Sequence, residues 1–177
     1  AKAQKLGIID TWQQSTRSLL SAGLSQEQTD RIVLRKYAAG TIKTLVGLRG
    51  DLIALGYNHE QITQAAVNGG GNNLKALKTH HASLCARNYS LEQIIKMVSH
   101  NGGSNNIASI AEHHQALTNL GLHADEIIRV VAHDGGSKNI EAVAKHYLAL
   151  KDLEFTADQI IKMVSHNGGS NNIASIA

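Results

Sequence analysis

The segment VSHNGGSNNIASIA occurs twice without a change, at 98–111 and 164–177, and a near copy, VAHDGGSKNIEAVA, stands between them at 131–144. The glycine pairs that begin at Gly102, Gly135 and Gly168 therefore recur every 33 residues. Gln93–Ala111 and Gln159–Ala177 are identical throughout. Such fidelity constrains the fold, because each copy must find the same surroundings as the one before it. Stacked repeats meet that condition, since each unit packs mainly on its neighbours.

The boundaries follow from the period. Units run over 89–121 and 122–154, and a third starts at 155 and continues to 177. A weaker copy, one residue short, occupies 57–88. Residues 1–56 hold a degenerate unit from Leu24 to Gly56 that lacks the glycine pair, preceded by what reads as the second half of another. Within a unit, Ile94, Ile95 and Val98 have helical spacing, and Gly102–Gly103 interrupts it. Ser90 and Glu92 supply polar, early-turn character at the start. A second run, Ile107, Ile110, Ala111, His114 and Leu117, again steps by three and four. Each unit is thus expected to be helix, tight loop, longer helix. One such pair cannot bury its apolar face alone, so the chain is expected to be an all-α protein, an α-solenoid of 33-residue helix-loop-helix repeats. The apolar positions do not alternate as they do in strands, and there is no proline, which suits continuous helices.

Composition narrows the possibilities further. Aromatic residues make up only 3% of the chain, so the core must be built from Ile, Leu, Val and Ala. No apolar run is long enough to span a bilayer, and the single cysteine, Cys85, allows no disulfide within the chain. The net charge of +3 is uneven, with residues 1–56 carrying a surplus of Lys and Arg and the remainder close to balance. Paired carboxylates, catalytic triads and phosphate-binding P-loops at convincing spacing are all missing, so no enzyme activity and no cofactor are expected. His80-His81 and His113-His114 recur in the second helix, with His146-Tyr147 in the same place. Adjacent helical residues point about 100° apart, so these are expected to pack rather than to bind metal. Cys85 reads as a small apolar residue, and Trp12 and Tyr147 as packing residues.

The informative variation falls in the loop, as His100-Asn101, His133-Asp134 and His166-Asn167, each followed by two glycines. Glycine permits a sharp turn and a close approach of backbone to another molecule. Amides that open a helix suit a phosphate. Asp134 has only acceptors, which match the cytosine N4 amino group in the major groove, whereas Asn101 and Asn167 can donate to purine N7. One varying polar residue on an invariant scaffold is what base readout requires.

With that pairing placed directly before Gly-Gly, as in EQIIKMVSHNGG, and a 33-residue period, the chain resembles the DNA-binding repeats of transcription activator-like effectors, especially their divergent bacterial relatives. The likeness covers Leu24 to the end and is strongest after Tyr89. It implies a right-handed superhelix that follows the major groove of double-stranded DNA with its loops inward. It implies that His100, His133 and His166 brace the loops by bonding to backbone of their own repeat. Asn101, Asp134 and Asn167 would each read one base: guanine with adenine second, then cytosine, then guanine, 5′ to 3′ along the chain. Phosphate contacts would fall to Gly102, Gly103, Asn105, Gly135, Gly136, Lys138, Gly168, Gly169 and Asn171, with Lys138 the only cation among them. The degenerate units resemble the family's cryptic repeats, which anchor DNA regardless of sequence. Arg31, Arg35, Lys36, Tyr37, Lys43, Arg49 and Asn68 would serve there, with Tyr37 where the family commonly has a tryptophan. In VNGGG the tip pair is either Val67-Asn68 or Asn68-Gly69, the former preferred because it keeps the second helix in register. Departures from the family are the missing lysine after Gly-Gly in most units and the missing proline in the second helix.

The family further implies a bacterial protein delivered into a host cell, regulating transcription on nuclear DNA. The alternative is a protein-binding helical repeat scaffold of the ankyrin or tetratricopeptide kind, which would vary across a helix face. Helical repeats that read single-stranded RNA would carry two or three reading residues on helices. The last unit stops within its second helix, so end-to-end self-stacking of chains is also expected.

Overall fold

A computed structural model describes residues 2–35, 38–166 and 168–176, with side chains from residue 12 onward. Among the described residues the chain is all-helical, with no strand. None of these helices is long and apolar enough to cross a membrane.

The helices are α1 (Lys2–Ser21), α2 (Gln26–Val33), α3 (Ala38–Ala54), α4 (His59–Cys85), α5 (Leu91–Ser99), α6 (Gly103–Asn119), α7 (Ala124–Ala132), α8 (Ser137–Lys145), α9 (Tyr147–Asp152), α10 (Ala157–Ser165) and α11 (Ser170–Ala174). α5, α7 and α10 are the first helices of the three best-matched units, nine residues each. Their second helices are α6, the pair α8 and α9 divided at His146, and α11.

Four of these helices, α2, α4, α5 and α10, open with a reciprocal cap. Ser90 Oγ accepts from the Gln93 amide at 3.1 Å while Gln93 Oε1 accepts from the Ser90 amide at 3.0 Å. The pairs Ser25/Gln28, Asn58/Gln61 and Thr156/Gln159 repeat this arrangement. The residue that completes the cap is Gln93, three positions after Ser90, rather than Glu92, whose carboxylate pairs with Lys96 at 2.9 Å.

Ile94, Ile95, Met97 and Val98 are all buried, as are Ile107, Ile110 and Leu117. These two faces meet, and each pair then packs on the next in chain order. First helices run α5 to α7 to α10, and second helices α4 to α6 to α8 to α11. The result is one continuous aliphatic core between two rows of helices.

Ring pairs tie the residue that leads into a unit to its second helical segment. Tyr57 packs edge-on against His81 and Tyr89 against His114, each with ring centroids 5.5 Å apart. The hydroxyls lie 3.2 and 3.1 Å from the imidazole Nδ1 atoms. The histidines at this position are therefore packing residues. The next unit has Leu122 and Tyr147 instead, so its aromatic ring comes from the second helix.

Polar pairs tie one unit to the next. Arg31 reaches Glu60 at 2.6 Å, Arg129 reaches Asp158 at 3.3 Å, and Gln93 donates to Asp125 at 3.1 Å. The Arg31 hydrogen bond holds the Glu60 carboxyl below its ordinary value.

Candidate functional site

At each loop the first helix stops because its next residue leaves helical geometry. His100 has φ −77° and ψ 161°, and His133 and His166 are extended in the same way. The chain then turns back through its two glycines. Gly102 has φ 94°, Gly135 109° and Gly168 109°, a region that strongly favours glycine. Asn101 and Asp134 stand exposed at the turn. Asn167 lies outside the described residues. The Asp134 loop and the loop at Gly168–Gly169 share their glycine angles within a few degrees, with Gly136 at 46° and −114° and Gly169 at 41° and −111°. The glycine backbone is thus the same in these two units, while in the Asn101 loop Gly103, at φ 28°, already belongs to the second helix.

The brace that holds each tip comes from the second helix. Asn106 is fully buried, and its Nδ2 donates to the Asn101 carbonyl at 3.0 Å and the Met97 carbonyl at 3.2 Å. Asn139, also buried, donates to the Asp134 carbonyl at 3.1 Å and the Val130 carbonyl at 3.3 Å. Asn172 donates to the Met163 carbonyl at 2.9 Å. Each amide closes the open end of the first helix, and those of Asn106 and Asn139 also secure the turn behind the tip. Among the described residues, the imidazoles of His100, His133 and His166 make no hydrogen bond, in contrast to the bracing role that the resemblance implied for them. The signal for the asparagines was in the sequence. Asn73, Asn106, Asn139 and Asn172 share one place in the repeat, and Asn139 is kept where its neighbour has become Lys138.

The glycines of a pair have different roles. Gly102, Gly135 and Gly168 are exposed, whereas Gly103, Gly136 and Gly169 are buried. The buried amides already donate within their own loops, to His100, His133 and His166 carbonyls at 3.0, 3.1 and 3.0 Å. Those of Asn105, Lys138 and Asn171 donate to the carbonyls of Gly102, Gly135 and Gly168. An anion approaching a loop therefore meets the first glycine of the pair and the exposed side chains of Asn105, Lys138 and Asn171. The buried Gly103, Gly136 and Gly169 cannot offer it their amides as expected.

The unit at 57–88 departs from this pattern. Its first helix keeps a 32-residue offset from the next unit, Asn58/Gln61 to Ser90/Gln93, while its second keeps 33, Asn73 to Asn106. One residue is therefore missing between Gln61 and Asn73. The backbone stays helical through 67–69, with Gly70 alone departing at φ 63° and ψ −150°. Neither Val67-Asn68 nor Asn68-Gly69 projects as a tip. The second helix does hold the expected register, with Asn73 donating to the Ala65 and Val98 carbonyls.

The basic residues of the N-terminal units also divide. Arg31 is paired with Glu60, and Arg49 is half-buried with its guanidinium 3.2 Å from His59 Nε2. Arg35 and Lys43 are exposed, while Lys36 and Tyr37 lie outside the described residues. Arg35 lines a cleft of about 720 Å³ together with Thr41, Thr44, Asn68, the glycines 69–71 and Lys75. Lys75 belongs to this basic cleft but has no counterpart in the repeat pattern, since Ala108 and Glu141 follow it at the 33-residue interval. Only packing brings it beside Arg35. No cluster of three or more His, Cys, Asp or Glu suited to a metal occurs among the described residues. Compared with models of protein families and with curated proteins, the chain matches none.

Proposed function

We propose that the chain binds double-stranded DNA in a sequence-specific way, through loop tips that enter the major groove. In this reading the stacked helix pairs form a right-handed α-solenoid superhelix. Asn101 reads guanine, with adenine second, Asp134 reads cytosine, and Asn167 reads guanine. The observation that carries the reading is the combination of an exposed, variable tip with a buried, repeated brace. Successive loops also touch. A Cβ at Gly136 would lie 2.8 Å from the Asn101 carbonyl oxygen, and one at Gly169 3.1 Å from that of Asp134. Such close seating of one loop on the next fits readers arranged in series along one groove. The wider role that fits such an activity is transcription regulation by a bacterial effector in host nuclei.

The test is binding to duplexes that differ at one base pair. Asp134→Asn should move the preference at its base from cytosine toward a purine, with discrimination changing by about 1–3 kcal/mol. An unchanged preference would reject the assignment.

A further inference from the structure

The buried asparagines make a second connection, forward to the following unit. A Cβ at Gly136 would stand 2.7 Å from Asn106 Oδ1, and a Cβ at Gly102 2.8 Å from the same atom. Asn139 Oδ1 stands between Gly135 and Gly169 in the same way, at 2.6 and 3.0 Å. In glycine an α-hydrogen occupies the Cβ direction, so each Oδ1 faces α-hydrogens of its own loop and of the next. Neither Oδ1 has a hydrogen-bond donor, although both are buried. Weak Cα–H···O contacts are what remains to them. The same side chain thus fixes the tip of its own unit through Nδ2 and provides the seat for the next loop through Oδ1. Space there is tight: a Cβ would press on both the asparagine and the preceding tip carbonyl at Gly136, and at Gly169 the same neighbours would have to give by a few tenths of an ångström.

We propose that Asn106 and Asn139 are positioning residues that couple adjacent readers, so that the base preference at one tip depends on the asparagine of the unit before it as well as its own. The proposal rests on the DNA reading above. Loop position and loop spacing are set by one side chain, and displacing it moves two tips together. Coupling runs along the chain, from Asn101 to Asp134 through Asn106, and from Asp134 to Asn167 through Asn139.

The experiment uses the full chain with Asn106→Ala, and with Ile107→Val as a control that weakens the same helix without touching the loop. Base preference is measured at the three positions in single-base-pair duplex panels, and amide hydrogen exchange at Gly136 and Ser137 in the protein without DNA. Asn106→Ala should reduce discrimination about tenfold at the base pairs of both Asn101 and Asp134, the loss of one hydrogen bond's worth of ordering. The base pair of Asn167 and the Ile107→Val preferences should stay as they are. Exchange at Gly136 and Ser137 should quicken by a similar factor. A loss confined to the Asn101 base pair, or an equal loss at all three, overturns the coupling, as does unchanged exchange in the following loop. If Asn106→Ala fails to fold, Asn139→Ala makes the same test one unit later. Discrimination should then fall at the base pairs of Asp134 and Asn167 and hold at that of Asn101, and a loss confined to the Asp134 base pair overturns the coupling. A wild-type chain with no base preference would reject the DNA reading instead, leaving exchange in the following loop to decide the coupling.

Discussion

His114 shows how one side chain can carry pH sensitivity into a stacked fold. It packs on Tyr89, with Nδ1 3.1 Å from the hydroxyl. Burial, and secondarily the nearby Arg87, lower its affinity for a proton below the ordinary imidazole value near 6.5. Burial also pushes the Tyr89 hydroxyl up to about 12, so it remains protonated throughout the working range. The unfolded chain therefore binds the imidazole proton more tightly than the folded one. This contribution to stability is full above the ordinary histidine value and falls as pH drops through it. Thermal unfolding between pH 7 and pH 5 should show a falling midpoint, and His114→Gln should make the fall smaller. An identical pH profile in the variant would place the sensitivity elsewhere.

At the level of the element, a unit's last turn ends in the left-handed region. Gly23, Gly56 and Gly121 occupy that place with φ of 81°, 93° and 75°. In the unit at 122–154 the corresponding residue is Glu154, with φ 57°. A side chain there crowds the following carbonyl, which glycine avoids. Glu154→Gly should stabilise the protein by about 0.5–1 kcal/mol, after allowance for the extra freedom of glycine in the unfolded chain. Denaturant unfolding would measure this, and a loss of stability would contradict it. The first helices were largely legible in the sequence, because the Ile94, Ile95, Val98 spacing is a local pattern, whereas the start read from Ser90 and Glu92 is closed by Gln93. The asparagine brace was present as a repeated letter. Its function became visible only when Asn106 was seen buried, with two carbonyls within reach.

Across the whole molecule, the charge that remains available is narrower than the composition implies. Arg31 and Arg49 are engaged within the protein, whereas Arg35 and Lys75 share an open cleft beside the glycines 69–71. If that cleft meets phosphate, Arg35→Ala combined with Lys75→Ala should weaken binding to all duplexes alike. The salt dependence should fall by about one unit of slope per lost contact. Titrations at several salt concentrations measure both quantities, and a loss restricted to one DNA sequence would argue for base contact instead.

The all-helical class, the 33-residue period and the place of the varying loop residue can be read from the letters alone. These are local or periodic properties, and a repeat writes them several times over. Tertiary structure decided which groups are left to act. It removed the second glycine of each pair from the surface, because the next loop must seat on the preceding asparagine. It kept the Asn68 segment helical, because one missing residue leaves no slack for a projecting turn. It also brought Lys75 beside Arg35 and took Arg31 out of play. All of these depend on which unit packs against which, and on the few ångströms between them, which no single stretch of sequence specifies.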